Sequence, residues 1–335
     1  MDVAILAHEQ FPDRAKTAVG ILRYGDHDVV AVIDRGTAGD TVRDHVADVQ
    51  DAPIVESMAE VPDCDALVIG IAPIGGAFDD SWRPDVTGAL RRGCDVWAGL
   101  HYMLESDEEF ARLAEEHDCE LRDVRSPPDD LSVAEGTAGE VDARVVLTVG
   151  TDCSSGKMTT AYELRDAARK RGLDAAVVPT GQTGILISGW GIAIDRTIAD
   201  FSAGAVERLV HEAADHDVLF VEGQGALAHP AYSGVTLSIL HGAQPDSLVM
   251  THVAGRETIH SYEAYPLPPV DEYATRYESV AGLVGETSVD AGMLNTRGLD
   301  DAAARDAVDA YEDALGVPAT DPVRFGVERT LDAVL

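Results

Sequence analysis

The sequence predicts an α/β fold made of two successive parallel-sheet domains. Three observations carry this: short apolar runs alternate with helical patterns, a phosphate-loop pattern opens the second half, and a Pro/Gly-rich acidic stretch separates the halves. Strand-like runs fall at 2–7, 28–33, 66–71 and 95–98, then at 144–149, 175–178, 218–221 and 247–250. Between them, apolar residues recur at helical spacing over 85–92, 106–117, 159–171, 198–216 and 271–284. Strands separated by helices pair in parallel, because each crossover returns the chain to the same sheet edge. Residues 123–142, with Pro127-Pro128, Gly136 and Gly139, have the composition of a linker. The domains are therefore drawn at 1–127 and 144–335, with a linker at 128–143. The chain beyond Pro266 ends in helical patterns whose apolar positions either cover the core or pair subunits, and a homo-oligomer is expected.

The 335 residues carry 60 Asp plus Glu against 25 Lys plus Arg, a formal net charge of −35. That excludes a nucleic-acid binder that relies on a basic surface. With 45% hydrophobic residues the chain fills its cores, so the charge is not a signature of disorder. Lysine occurs only at positions 16, 157 and 170. Self-repulsion of this kind suits a halophile, whose surface carboxylates hold water and cations at high salt. Against that background each remaining lysine stands out. Cys64, Cys94, Cys119 and Cys153 are widely spaced, without a metal or disulfide pattern, and the first three read as buried small hydrophobes in a reducing cytosol. The first ten residues lack the basic start of a signal peptide, and no stretch reaches the roughly 18 apolar residues of a membrane span. A cytoplasmic protein without a membrane or nucleic-acid partner is expected.

The most specific local pattern runs from Arg144 to Thr160: an apolar strand, then Gly150-Thr151-Asp152-Cys153-Ser154-Ser155-Gly156-Lys157-Met158-Thr159, then a helix. Backbone N–H groups around Ser154 to Lys157 would converge on an anion at a helix N-terminus, and Lys157 would add a point charge. Five residues, not four, separate the two glycines, and Met158 stands where Ser or Thr would hold Mg²⁺. Either Thr159 supplies that hydroxyl or no metal binds. This loop resembles that of the dethiobiotin synthetase and cobyric-acid synthetase branch of P-loop proteins, which also opens Gly-Thr-Asp. Glu222, ending the apolar run Val218–Val221, takes the position of a Walker B-type acid. Those ligases carry a lysine after their second strand, and none follows Ala175–Val178 here. Gln182, Thr183, Asp195, Arg196 and Asp200 place polar groups in a glycine-rich stretch after that strand, and His229 follows the Glu222 strand as a candidate base.

In the first half, Arg14, Lys16 and Arg23 replace the Gly-x-Gly-x-x-Gly of a dinucleotide fold with a basic element suited to carboxylates or phosphates. Two further strands run into turns, Gly70 to Gly75-Gly76 and Gly99-Leu100-His101, and both turns are expected at one sheet edge. Together with Asp123-Val-Arg125, the Gly150–Met158 loop, Thr180–Gly184 and Glu222–Gly225, these motifs resemble the D-glutamate N-acetyltransferase family from the first strand to about Arg256. The resemblance implies an N-terminal Rossmann-like parallel-sheet domain followed by a P-loop NTPase-like α/β domain. It implies transfer of acetyl from acetyl-CoA to the amino group of D-glutamate, upstream of an N-acetyl-D-glutamate racemase. Under it, the loop from Gly150 to Thr159 cradles coenzyme A phosphates, and Met158 ceases to be anomalous because anion binding needs no metal-ligating hydroxyl. Lys16, Arg23 or Arg196 would clamp the substrate carboxylates, with Gln182, Thr183 and His101 nearby. Asp200, Glu222 or His229 would take the ammonium proton, and Gly75-Gly76 would supply oxyanion donors. No metal is assigned. The competing readings are an ATP- and Mg²⁺-dependent ligase or kinase of the dethiobiotin synthetase type, and a nucleotide- or CoA-binding module without turnover.

Overall fold

In the computed structural model, which describes residues 1–73 and 75–335, the chain divides into two units. The first comprises residues 1–127 with 182–196, the second residues 128–181 with 197–335.

Six strands build the first unit: β1 (Asp2–Leu6), β2 (Asp28–Ile33), β3 (Ile54–Val55), β4 (Ala66–Ile69), β5 (Asp95–Ala98) and β6 (Leu121–Asp123). They lie in the order β3-β2-β1-β4-β5-β6 with every pair parallel. This is the doubly wound Rossmann order, whose strand sequence reverses between β1 and β4, and ligands of such sheets bind beyond the carboxyl ends of the strands. Helix α1 (Lys16–Tyr24) buries Ala18, Ile21 and Leu22, and α2 (Arg83–Arg91) and α3 (Glu108–His117) pack with one another. A Cβ on Gly70 would lie 2.4 Å from Ile5 Cγ2 and 2.8 Å from Ala18 Cβ, so only glycine there lets α1 close on the sheet. Cys94 is buried, but Cys64 and Cys119 are only half-buried, which corrects the expectation for those two. The Cys64 and Cys94 sulfurs stand 3.6 Å apart.

The second unit holds β7 (Arg144–Gly150), β8 (Ala175–Val178), β9 (Val218–Val221), β10 (Ser247–Val253), β13 (Ser288–Asn295) and β14 (Ala319–Thr320), with the hairpin β11 (Thr258–Ile259) and β12 (Tyr262–Pro266) between. The main sheet runs β14-β13-β10-β7-β9-β8, again all parallel. Its helices are α4 (Lys157–Lys170), α6 (Ala199–Glu212), α7 (Ser233–Ala243), α8 (Val270–Ala281), α9 (Asp301–Leu315) and α10 (Glu328–Val334). The C-terminal helices cover this core: Tyr311 of α9 donates to the Met250 carbonyl at 2.9 Å, and α10 buries Leu331 and Val334. Between β8 and α6 the short helix α5 (Gln182–Ser188) leaves this unit for the first one, a segment the sequence boundaries had kept within 144–335.

The stretch drawn as a linker is an ordered strap on α6. Glu207 accepts from Glu135 N at 3.1 Å, Gly136 N at 2.8 Å and Thr137 Oγ1 at 3.0 Å. These bonds draw the Glu207 carboxyl below its usual range against the opposing effect of burial. A Cβ on Gly204 would fall 2.1 Å from the Ser132 carbonyl, so the strap lies directly on the helix backbone.

Candidate active site

The phosphate loop is assembled from neighbours in sequence. β7 ends at Gly150, Ser154 (φ 54°) and Gly156 (φ 114°) turn the backbone through the left-handed region, and α4 begins at Lys157. Gly150 is required because a Cβ there would meet Ser155 Oγ at 2.6 Å and Thr251 Oγ1 at 2.7 Å. Ser155 Oγ donates to the Asp152 carbonyl at 3.0 Å and shares a 2.6 Å bond with Thr251 Oγ1. Lys157 is buried with its Nζ on the same Asp152 carbonyl at 2.8 Å, across the mouth of its own loop. Around it the N-terminal N–H groups of α4, which no intrahelical carbonyl can satisfy, present positive charge to an anion. Met158 and Thr159 are half-buried in the first turn of α4.

Asp152 is fully buried and anchors this loop to the segment after β10. Its carboxylate accepts from Cys153 N at 2.7 Å, from an Arg256 guanidinium nitrogen at 2.9 Å and from His260 N at 2.8 Å. Thr151 Oγ1 bonds His252 Nδ1 at 2.8 Å, and burial with the nearby Arg256 pushes His252 down to about 4. Sequence reading did not single out Arg256 or His252. An arginine and a histidine just after an apolar strand are the only local signal for them.

Glu222 leaves the end of β9 and is buried, and Gly181 stands beside its carboxylate. Gly223 is dictated by packing: a Cβ there would overlap the Thr148 carbonyl at 1.8 Å. His229 is buried too, against Tyr232 and Tyr262, and its Nδ1 accepts from Ala231 N at 3.1 Å. A neutral ring bonded in this way carries its proton on Nε2 and is a donor, which suits an anion better than the base role expected of it. Burial, with Lys157, also lowers its pKa. Asp200 is exposed in the first turn of α6, where its charge faces a helix N-terminus. Donor atoms of Asp152, Cys153 and His229 fall within 4.8 Å of one another, the spacing of a metal cluster. The Asp152 carboxylate and His229 Nδ1 are, however, already spent on protein N–H groups.

In the first unit a second cluster forms at the carboxyl ends of β4, β5 and β6. Gly75 and Gly76 both have positive φ, 82° and 62°. Their turn packs on the residue after Leu100: His101 N donates to the Gly76 carbonyl at 2.9 Å, and a Cβ on Gly76 would lie 2.5 Å from His101 Cδ2. Ile74, inside this motif, lies outside the described residues. Gly76 N donates to the Pro73 carbonyl at 2.8 Å, so it is committed to the turn and is not a spare oxyanion donor. Gly99 leaves room for α5, since a Cβ there would meet Gln182 Cγ at 2.7 Å. Thr183 bonds Thr17 of α1 at 2.8 Å, and Arg122 donates to the Gly189 carbonyl at 2.7 Å.

The hub is Arg125, which lies just past β6 and is only 7% exposed. It donates through Nε to the Gly99 carbonyl at 2.8 Å, to Gln182 Oε1 at 2.7 Å, and to the Asp195 carboxylate. His101, half-buried beside this hub, has its pKa lowered by burial and then by Arg125; Asp195 opposes and Arg196 adds to the lowering. The fold thus brings Gly75, Gly76, His101, Gln182, Thr183 and the exposed Arg196 to one set of loops. Lys16, exposed, opens α1 one residue before Thr17. Arg23 is not brought there: it sits in the last turn of α1 and donates to the Ala47 carbonyl at 3.4 Å. Arg125 belongs to a motif visible in the sequence, yet nothing local announced that its guanidinium is buried.

The fold and loop define a two-domain α/β protein with a Rossmann-like unit and a P-loop unit. Family models agree, matching a Rossmann-like domain, DUF1611_N, at residues 35–127 and a P-loop domain, DUF1611_C, at residues 132–331. A "D-glutamate N-acetyltransferase" of Tritonibacter scottomollicae is 37% identical over 80% of this chain and 80% of its own length. A protein of the same name from Pseudoalteromonas sp is 36% identical over 78% of this chain and 79% of its own. A crystal structure of a DUF1611 family protein from Anabaena variabilis is 40% identical, with a TM-score of 0.94, covering 99% of this chain and 98% of that one. The chain belongs to the DUF1611 family and shares it with these D-glutamate N-acetyltransferases.

Proposed function

We propose that this protein is an acetyl-CoA-dependent D-glutamate N-acetyltransferase. The observation that carries the reading is the identity with two proteins of that name over about four-fifths of the chain, a span that takes in both domains. The Gly150–Thr159 loop holds the coenzyme A phosphates: Lys157 and the start of α4 supply the positive field, and Met158 leaves the usual metal-ligating position without a hydroxyl. The acidic acceptor binds among His101, Gln182, Thr183 and Arg196, where Arg125 holds Gln182 and Asp195 in place. Nucleophilic attack by the amine on the thioester requires that the ammonium first lose a proton. The net charge of −35 fits a protein that works in the cytoplasm at high salt.

The test supplies purified protein, in molar KCl, with acetyl-CoA and either D- or L-glutamate. It follows free thiol and the mass of N-acetylglutamate, with ATP plus Mg²⁺ in parallel. Acetylated D-glutamate formed without ATP is expected. ADP release without acetyl transfer would overturn the reading in favour of a ligase or kinase, and ligand binding without any product would leave a binding module.

A further inference from the structure

We propose that His101 is the catalytic base that frees the acceptor amine in this reaction. The inference rests on the acetyltransferase reading above and names a residue for a step that Asp200, Glu222 and His229 were expected to serve. Among the described residues none hydrogen-bonds either ring nitrogen of half-buried His101. Buried His8 and His229 and half-buried His252 each have a ring nitrogen engaged, His8 between Asp85 and Arg35 N, His229 by Ala231 N and His252 by Thr151, and half-buried His27 precedes the amino end of β2, against Trp97. The residue is also tied by its backbone. A Cβ on Gly76 would lie 2.5 Å from its Cδ2 and the His101 N–H donates to the Gly76 carbonyl, so the imidazole stands at the carboxyl ends of the strands of a doubly wound sheet.

The charged groups around it suit the task. Arg125, buried, and Arg196, exposed, disfavour a second positive charge on the ring, while Asp195, bound to Arg125, favours one. A base must be unprotonated when the ammonium arrives, and here burial and the two guanidinium groups keep it so near neutral pH. In the step, one N–H proton of the ammonium passes to His101 and on to solvent. The freed nitrogen forms a bond to the acetyl carbonyl carbon, the C–S bond breaks, and the second N–H proton goes to the departing coenzyme A thiolate. Acetyl-CoA and the ammonium thus give the amide, free thiol and one proton.

The wild-type protein is assayed first, and His101→Ala and His101→Gln are compared with it across about pH 6 to 9. We expect kcat/KM for D-glutamate to fall about 10²- to 10⁴-fold in both variants, with KM for acetyl-CoA unchanged. In His101→Ala the remaining rate should track the free amine, rising about tenfold per pH unit, and added imidazole should restore part of it. A lost cavity filler would show neither behaviour, and the glutamine variant guards against a folding defect in the alanine one. Variants that keep kcat/KM within about threefold of wild type, with the same pH profile, overturn the assignment while leaving the acetyltransferase reading intact. A wild-type protein that acetylates no amino acid would remove both.

Discussion

The phosphate loop and the His101 cluster solve the same problem, presenting polar groups at the carboxyl ends of parallel strands, by opposite routes. In the loop the groups that face an anion come from residues 150–157, with Lys157 bound to the Asp152 carbonyl, and the distant Thr251 and Arg256 brace them through Ser155 and Asp152. In the cluster the groups come from separate stretches around positions 17, 76, 99–101, 125 and 182–196, and one histidine stays open. A site whose anion-facing groups are neighbours in sequence needs distant residues only as braces. One collected from distant segments depends on packing, so its integrity and its chemistry fail together.

That difference can be broken most sharply at Arg125. Arg125→Ala strands the buried Gly99 carbonyl and the Gln182 amide and releases Asp195, which is itself partly solvated. Unfolding stability should fall by about 3 kcal/mol, read by denaturant titration, and acetylation of D-glutamate should collapse with it. An unchanged midpoint would show that the guanidinium is not a structural hub. Lys157→Ala should cost less stability than Arg125→Ala, because Ser155 Oγ still donates to the Asp152 carbonyl that Lys157 leaves. If the loop holds coenzyme A as proposed, loss of a charge-assisted contact to phosphate should raise KM for acetyl-CoA about 10- to 10²-fold, with KM for D-glutamate unmoved.

A pH titration sharpens the comparison from the loop's side. His252 is near 4 in the folded protein and near 6.5 unfolded. Below about pH 6.5 the unfolded chain binds the extra proton and the folded one does not, so stability falls as pH drops from about 6.5 toward 4 and is flat above that window. The loss should reach about 2 kcal/mol at pH 5 relative to pH 8. His252→Gln should remove that component, and a variant with the wild-type slope would assign it elsewhere. The smallest contrast is within the glycine turn. Gly75 has open space around a would-be Cβ, so Gly75→Ala should cost about 1 kcal/mol from its positive φ alone. Gly76→Ala must also push His101 aside, and should cost about twice as much and lower kcat as well. Equal effects would mean that the ring does not depend on the turn.

The elements legible beforehand are those with unbroken apolar runs: β1, β2, β7 and β9 sit where the sequence places them. β13 was not legible, because Asp290 and Gly292 interrupt it. The structure explains both, with Asp290 accepting from Ser247 and Ser288 at 2.5 and 2.6 Å and Gly292 admitting Tyr311 and Leu315. Helix α5 was also hidden, since Gln182-Thr-Gly-Ile reads as a glycine loop until Gly99 and Thr17 provide its seat. The strap at 128–143 looked like a linker because its order comes from Glu207, some 70 positions away.

Local sequence was sufficient for the parallel α/β class, for eight of the twelve strands of the two main sheets and for the phosphate-loop pattern, because alternation of apolar runs and a glycine-bounded turn act over a few residues. It was not sufficient to place Arg125 under Gly99 and Gln182, to commit His229 to Ala231, or to leave His101 open. Those outcomes depend on burial and on hydrogen bonds between segments far apart in the chain, and a charge or a ring acquires its protonation state only when its neighbours are in place.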